Sequence, residues 1–286
     1  MGSSMFWSKW FSVTSQKIES PQADKDLRAV VISDVGCVRT NNEDTALFFR
    51  PASAGERMKK GYLAIIADGM GGHAAGEVAS QMAVDIVSKV YYQRNEQVSE
   101  RLFFAFQKAN RQINQSANKN KQQKGMGTTC TALAVCDHKL YLAHVGDSRA
   151  YIFKNGQLLQ LSGDHTYVNG LLEQGMITAA EALIHPERNV LTKALGTQSI
   201  VEVDITEITE HFEAEDRILL CSDGLYDYLS AQEIGTILLQ NQISDAAAQL
   251  VDCAKQRGGH DNISVILAEY VPSETFQSLN ITRQIG

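Results

Sequence analysis

No apolar run in this 286-residue chain approaches the roughly 18 to 20 residues needed to cross a bilayer, which excludes a transmembrane span. Basic charge is also short. The chain has 26 Lys and Arg against 33 Asp and Glu, a formal net charge of −7, and apart from a patch at 119–124 its cations are scattered. Nucleic acid and anionic membranes need a basic field to release counterions, so neither fits as the main partner. No CxxC pair occurs among the five cysteines, Cys37, Cys130, Cys136, Cys221 and Cys253. An odd count without a secretory signal fits a reducing, cytoplasmic compartment, with the thiols mostly in the core. A cysteine nucleophile working on a phosphate ester would need an Arg six positions on. Those positions hold Glu43, Cys136, Leu142, Asp227 and Gly259, so that chemistry is disfavoured. No GxxxxGK pattern favours a nucleotide, no internal repeat or low-complexity tract appears, and the lack of heptads leaves a monomer as the expected state.

The hydrophobic share of 44% and charged share of 21% are those of a soluble, enzyme-sized globular chain. MGSS before Met5 reads as a cloning remnant. The segment FWSKWFSV that follows holds both tryptophans and places Phe6, Trp7, Trp10 and Phe11 on one helical face. It is either an anchor for a membrane surface or partner, or a tail docked on its own domain. Residues 14–26 read as a polar linker. The organisation expected is residues 1–26 as this leader, 27–272 as one domain, and 273–286 as a C-terminal tail.

Strands are predicted over Ala29–Ser33, Thr45–Phe49, Tyr62–Ala67, Thr128–Cys136, Lys139–Val145, Ala150–Lys154, Gln157–Leu161, Val201–Ile208, Arg217–Cys221 and Asn262–Glu269. Asp137-His138 is a tight hairpin signal, and the close spacing implies antiparallel sheet. Helical periodicity covers Gly76–Tyr92, Glu100–Asn118, Ser230–Gln240 and Ser244–Arg257, the last two opened by a Ser able to cap. Blocks of helices beside blocks of strands predict an α+β layered domain. Short helical pieces at Tyr167–Gln174 and Ala179–Ala182, among Gly163, Gly170, Gly175 and Pro186, mark 164–195 as an inserted flap.

Aspartate recurs where apolar strands stop. YLAIIADG ends on Asp68, LYLAHVGD on Asp147 and RILLCSDG on Asp223, while Asp261 stands just before ISVILAEY. One such residue is ordinarily a turn or cap. Four at strand ends, two followed by Gly and one preceded by it, ask for another cause. A strand end holds a ligand rigidly, an adjacent Gly lets the backbone approach an ion, and oxygen-only donors suit Mg²⁺ or Mn²⁺ better than zinc. Two such cations bridged by one carboxylate could polarise a phosphoryl group and activate water. In GCVRTNNED, Arg39 offers a donor fork suited to phosphate and precedes the acids Glu43 and Asp44.

The ordered set RTNNED, ADGMGG, GTT, GDSRAY, SGDHT, SDGLYD and HDN resembles the metal-dependent protein phosphatases (phosphatase 2C type), and the DGMGG form looks like the bacterial branch. The resemblance runs from about Val31 to Tyr270. It implies a four-layer α-β-β-α sandwich of two antiparallel sheets flanked by helix pairs, with a metal cleft at one end. Asp68 would bridge two metals, the Gly69 carbonyl would bind the second, and Asp223 and Asp261 would complete the first. Asp147 with Asp223 would hold a third, weaker ion. Arg39 would take the substrate phosphate, while Glu43 and Asp44 hold metal-bound water. The implied activity is hydrolysis of phosphoserine and phosphothreonine in proteins, opposing a Ser/Thr kinase. One departure stands out: where eukaryotic relatives carry a His after the Asp-Gly pair as proposed general acid, this chain has Met70. His73 either takes that role or hydrogen-bonds the Gly-rich loop, leaving protonation of the alcohol to water. Of the other histidines, His144 reads as a satisfied core residue, His138 as a turn residue and His165 as ordering the flap loop. Asn262 is placed to orient Asp261.

Overall fold

Tyr62 to Ala67 is apolar without alternation because both faces of its strand are covered. Leu63, Ile65 and Ala67 belong to one apolar cluster, and Tyr62, Ala64 and Ile66 to another. The computed structural model describes residues 25–71, 74–93, 95–209 and 212–272. The aromatic leader, His73 and the 273–286 tail lie outside the described residues.

In chain order the elements are β1 (Lys25–Asp34), β2 (Asp44–Phe49), α1 (Ala54–Lys60), β3 (Tyr62–Met70), α2 (Ala74–Gln93), α3 (Val98–Lys119), β4 (Gly127–Thr128), β5 (Cys130–Cys136) and β6 (Lys139–Val145). They continue with β7 (Arg149–Lys154), β8 (Gln157–Gln160), α4 (Tyr167–Glu173), α5 (Ala179–Ile184), β9 (Asp204–Ile208), β10 (Arg217–Cys221), α6 (Asp223–Tyr226), α7 (Ala231–Gln240), α8 (Ile243–Gln256) and β11 (Ile263–Pro272). One sheet has the order β1-β11-β10-β7-β8, and the other β2-β3-β5-β6-β9 with β4 paired to β3. Every pairing is antiparallel.

Three apolar layers separate four layers of secondary structure. Leu102, Phe106 and Ile113 of α3, with Val84 and Val87 of α2, pack on the second sheet. Ile234, Leu238, Leu250 and Val251 of α7 and α8 pack on the first. Between the sheets lie Ile66, Leu133, Ile152, Ile218, Leu220 and Ile266. The arrangement is the expected α-β-β-α sandwich. Strand β10 shows how the period of two builds it: Leu219 and Cys221 face the helices, while Ile218 and Leu220 face the other sheet.

Local chemistry explains most element ends. Asp137 and His138 both take positive φ (51° and 58°), as a two-residue hairpin turn requires. Asn155 and Gly156 do the same between β7 and β8 (52° and 74°). Ser230 caps α7 with a full capping box through Glu233. Ser244, expected to cap α8, does not. The helix starts at Ile243 after Gln242, because Ile243 is drawn into the core at 2% exposure. The strand expected from Val201 begins only at Asp204, and α1 and α6 have no counterpart in the sequence reading. Helix α1 buries none of its seven residues, so no apolar periodicity marks it.

His144 is the satisfied core histidine expected of it. Fully buried on β6, its ring bonds with Thr131 Oγ1 (2.9 Å) and the Gly163 carbonyl (3.0 Å), and burial, with the His165 ring alongside, pushes its pKa down to about 4. The unfolded chain protonates this residue near 6.5 and the folded one only near 4. Stability is therefore held above pH 6.5 and falls as pH drops from there towards 4. Between pH 7 and pH 5 the native protein should lose about 2 kcal/mol more stability than His144→Gln. Urea titrations of both at the two pH values check this, and parallel losses would refute it.

Candidate active site

Five aspartates, on strands or beside their ends, come together at the same end of the sandwich. Asp68 sits two residues before the end of β3, because β4 prolongs the pairing by joining Gly69 to Thr128 and Met70 to Gly127. Its backbone is held by the GTT segment: the Asp68 N–H donates to Thr129 Oγ1 (2.9 Å), and its carbonyl accepts from Thr128 Oγ1 (2.8 Å) and Thr129 N (2.9 Å). Asp44 is its direct cross-strand partner on β2. Asp147 closes the β6–β7 turn, Asp223 opens α6 after β10, and Asp261 precedes β11. Sheet register thus gathers residues that are far apart in sequence.

The cleft is lined by Arg39, Glu43, Asp68, Gly69, Asp147, Asp223 and Asp261 among others. Asp44 lies behind them, 8% exposed, its Oδ2 accepting from Ser222 Oγ at 2.7 Å. Burial first, and then the crowd of neighbouring carboxylates, pushes Asp68 and Asp223 well above the usual carboxylate range. Burial likewise carries Asp44 to about 6 and, with Asp164 adding repulsion, Asp147 to about 7. Protein groups do little to relieve this. Among the described residues, nothing hydrogen-bonds the buried Asp223 Oδ1 and Asp44 Oδ1. Orphaned acceptors in an acidic pocket are what a hard cation would satisfy, so the residues fit the divalent metals the sequence implies. Among the described residues no three His, Cys, Asp or Glu close on a single point. The carboxylates line an open cleft instead, with room beside them for the water ligands that a cation such as Mg²⁺ ordinarily keeps.

Two glycines are there for close approach. A Cβ on Gly69 would lie 2.1 Å from the Gly76 carbonyl oxygen, and one on Gly224 would lie 2.0 Å from that of Asn262. Gly69 lets α2 press against the end of β3, and Gly224 lets Asp223 stand beside Asp261. The Gly69 N–H is tied to the Glu43 carbonyl (3.1 Å).

Asn262 joins the site together. Its Nδ2 donates to the Val35 and Asn41 carbonyls (3.0 Å each), its Oδ1 accepts from Glu43 N (2.7 Å), and its own N–H donates to Asp261 Oδ1 (2.8 Å). The loop bearing Arg39 is thereby pinned to Asp261. Arg39 is half-exposed and reaches Asp261 Oδ2 at 2.7 Å. His165 orders the flap root as expected: its Nδ1 accepts from Gly146 N (3.0 Å) and its Nε2 meets Asp204 (3.0 Å). Sequence reasoning missed Thr129, Asn189, Leu191 and Tyr226. Tyr226 donates to the Asp147 carbonyl at 3.1 Å, and Asn189 and Leu191 bring the flap to the cleft wall. Tyr226 stands inside the SDGLYD motif, but nothing in the sequence marks Asn189.

The model of the protein phosphatase 2C family matches residues 29–263, a span that takes in all of these side chains. The chain belongs to that family. It is 37% identical over 243 residues to the serine/threonine phosphatase stp of Listeria innocua, covering 83% of this chain and 93% of that one. To the serine/threonine protein phosphatase PstP of Mycobacterium tuberculosis it is 38% identical over 246 residues, 86% of this chain but 45% of PstP's length. The crystal structure of the PstP catalytic domain in complex with two manganese ions superposes with a TM-score of 0.74 at 35% identity, covering 86% of this chain and 99% of that one. Among the described residues no helix is long and apolar enough to cross a membrane.

Proposed function

We propose that this family member hydrolyses phosphoserine and phosphothreonine in proteins, using two divalent cations, Mn²⁺ or Mg²⁺, held by Asp68, the Gly69 carbonyl, Asp223 and Asp261. The observation that carries the reading is the crowd of buried carboxylates with two orphaned oxygens, gathered from four strand ends beside an arginine. When bound, the cations supply a water activated at neutral pH and neutralise charge on the phosphoryl group. The chain's own groups do the rest. Asp147 and Asp223 supply oxygens for a third, weaker ion. Glu43 and Asp44 orient water and hold its protons. Arg39 is free to exchange its solvent-accessible ion pair with Asp261 for a substrate phosphate, which offers its guanidinium a better-matched, doubly charged partner. Met70 lines the cleft where a titratable group stands in the eukaryotic relatives, so the acid that protonates the leaving alcohol is either His73 or water.

On this reading residues 27–272 form the phosphatase domain with the flap at 164–195, and the protein acts as a monomer in the cytoplasm, reversing a Ser/Thr kinase. The free thiols of all five cysteines suit that compartment. The test is phosphate release from a phosphothreonine peptide with Mn²⁺, with Mg²⁺ and with excess EDTA. Release with either metal and none with EDTA is expected; equal release under EDTA would remove the metal from the reading.

A further inference from the structure

A second groove runs out of the cleft beneath the flap, sharing Asp147 and Asn189 with it. One wall is apolar: Val168 and Leu172 of α4 face Ala179, Ala182 and Leu183 of α5. The other is Tyr226, on whose ring the Arg149 guanidinium lies at 3.6 Å. Helix α5 is well made locally, with a complete capping box between Thr178 and Glu181, yet it buries none of its residues. Leu183 and Ile184 are 73% and 84% exposed. Six residues do not sustain a helix through propensity alone, and this one offers its apolar side chains to a groove that none of the described residues fills.

Four of the five charged side chains in the groove pair with one another, and the fifth, Asp147, faces the phosphate cleft it shares. Arg149 is held by both oxygens of Asp164 (2.6 Å at the closest), and Arg188 pairs with Asp227 at 3.3 Å. A wall whose cations are already paired has no preference for an acidic or basic guest. We infer that this groove receives an apolar side chain flanking the phosphorylated residue of the substrate, so that the flap selects phosphoproteins with a leucine-like residue within roughly three positions of the phosphate, about 10 Å of extended chain, since the groove and the cleft adjoin at Asp147 and Asn189. The inference rests on the proposed function, because it is continuity with the phosphate cleft that assigns the occupant.

The experiment compares two phosphothreonine peptides differing only in having leucine or glutamine at the three positions on each side. Wild type should favour the leucine peptide about tenfold in kcat/KM, the scale of an apolar pocket's discrimination. Leu183→Asp should bring that ratio close to one and Leu183→Met should keep it; a purely structural disturbance would slow both peptides alike and preserve the ratio. Equal turnover of the two peptides by wild type overturns the subsite, as does an unchanged ratio in Leu183→Asp. A change in the sedimentation of Leu183→Asp with the ratio intact also overturns it and makes the groove a contact between copies. Hydrolysis of p-nitrophenyl phosphate by wild type with Mn²⁺ separates the two readings. If that ester is cleaved, failure of the peptide test concerns the groove alone; if neither ester nor peptide is cleaved, the proposed function falls and the subsite with it.

Discussion

Replacing Asp68 by Asn is expected to lower metal-dependent phosphate release on the order of 10³-fold while leaving the metal-free protein at least as stable as wild type. The two effects share one cause. Without cations, the Asp68 carboxyl is buried among Asp44, Asp223, Asp147 and Asp261, which drives its pKa far up and makes its charged form a cost at neutral pH. Asn keeps the shape and carries no charge, so that cost disappears together with a carboxylate oxygen proposed to hold the cations. Melting in EDTA should show the variant equal to or above wild type. With Mn²⁺ at about 100 times its dissociation constant, wild type should gain about 2.7 kcal/mol, or roughly 5 to 10 °C, and the variant much less. A variant less stable than wild type in EDTA would mean that Asp68 has a structural role. One that retains the full Mn²⁺ shift and full activity would remove it as a metal ligand.

Asn262→Ala is the second large effect. The residue is 4% exposed, and its side chain makes three hydrogen bonds to three backbone groups of the 35–43 loop. Each is worth about 1 kcal/mol net, and the truncation leaves a cavity, so a loss of roughly 2 to 4 kcal/mol is expected. Activity should fall on the order of 10²-fold, because the loop carries Arg39 and a displacement near 1 Å at a reacting group costs about that much. Urea unfolding and kcat/KM with Mn²⁺ measure the two separately. Normal activity in a destabilised variant would show that the loop finds its place without Asn262.

Much of the site could be read along the chain because the residues proposed as ligands sit where apolar strands stop. A strand that runs apolar through Ile66 and Ala67 and then meets Asp68 is a local anomaly, visible without knowing what lies across from it. The hairpin at Asp137-His138, the capping box at Ser230 and the amphipathic stripe of α3 are local for the same reason: each depends on residues within a few positions of one another. The misreadings have the opposite character. Ile243 enters α8 because the first sheet's core draws it in, and β3 extends past Asp68 because β4, some sixty residues later, offers it hydrogen bonds.

By itself, then, the sequence determined the α+β class, the acidic strand ends and the suitability of hard cations, since these follow from periodicity, charge and ligand type. Only the tertiary structure decided that Asp44 stands opposite Asp68, that Asn262 ties the arginine loop to Asp261, that Asn189 reaches the cleft and that α5 faces a groove with its leucine uncovered. Those relations are set by sheet register and by packing between segments as much as 227 residues apart, as Asn262 is from Val35. No local pattern encodes them, because each depends on where a distant backbone comes to rest.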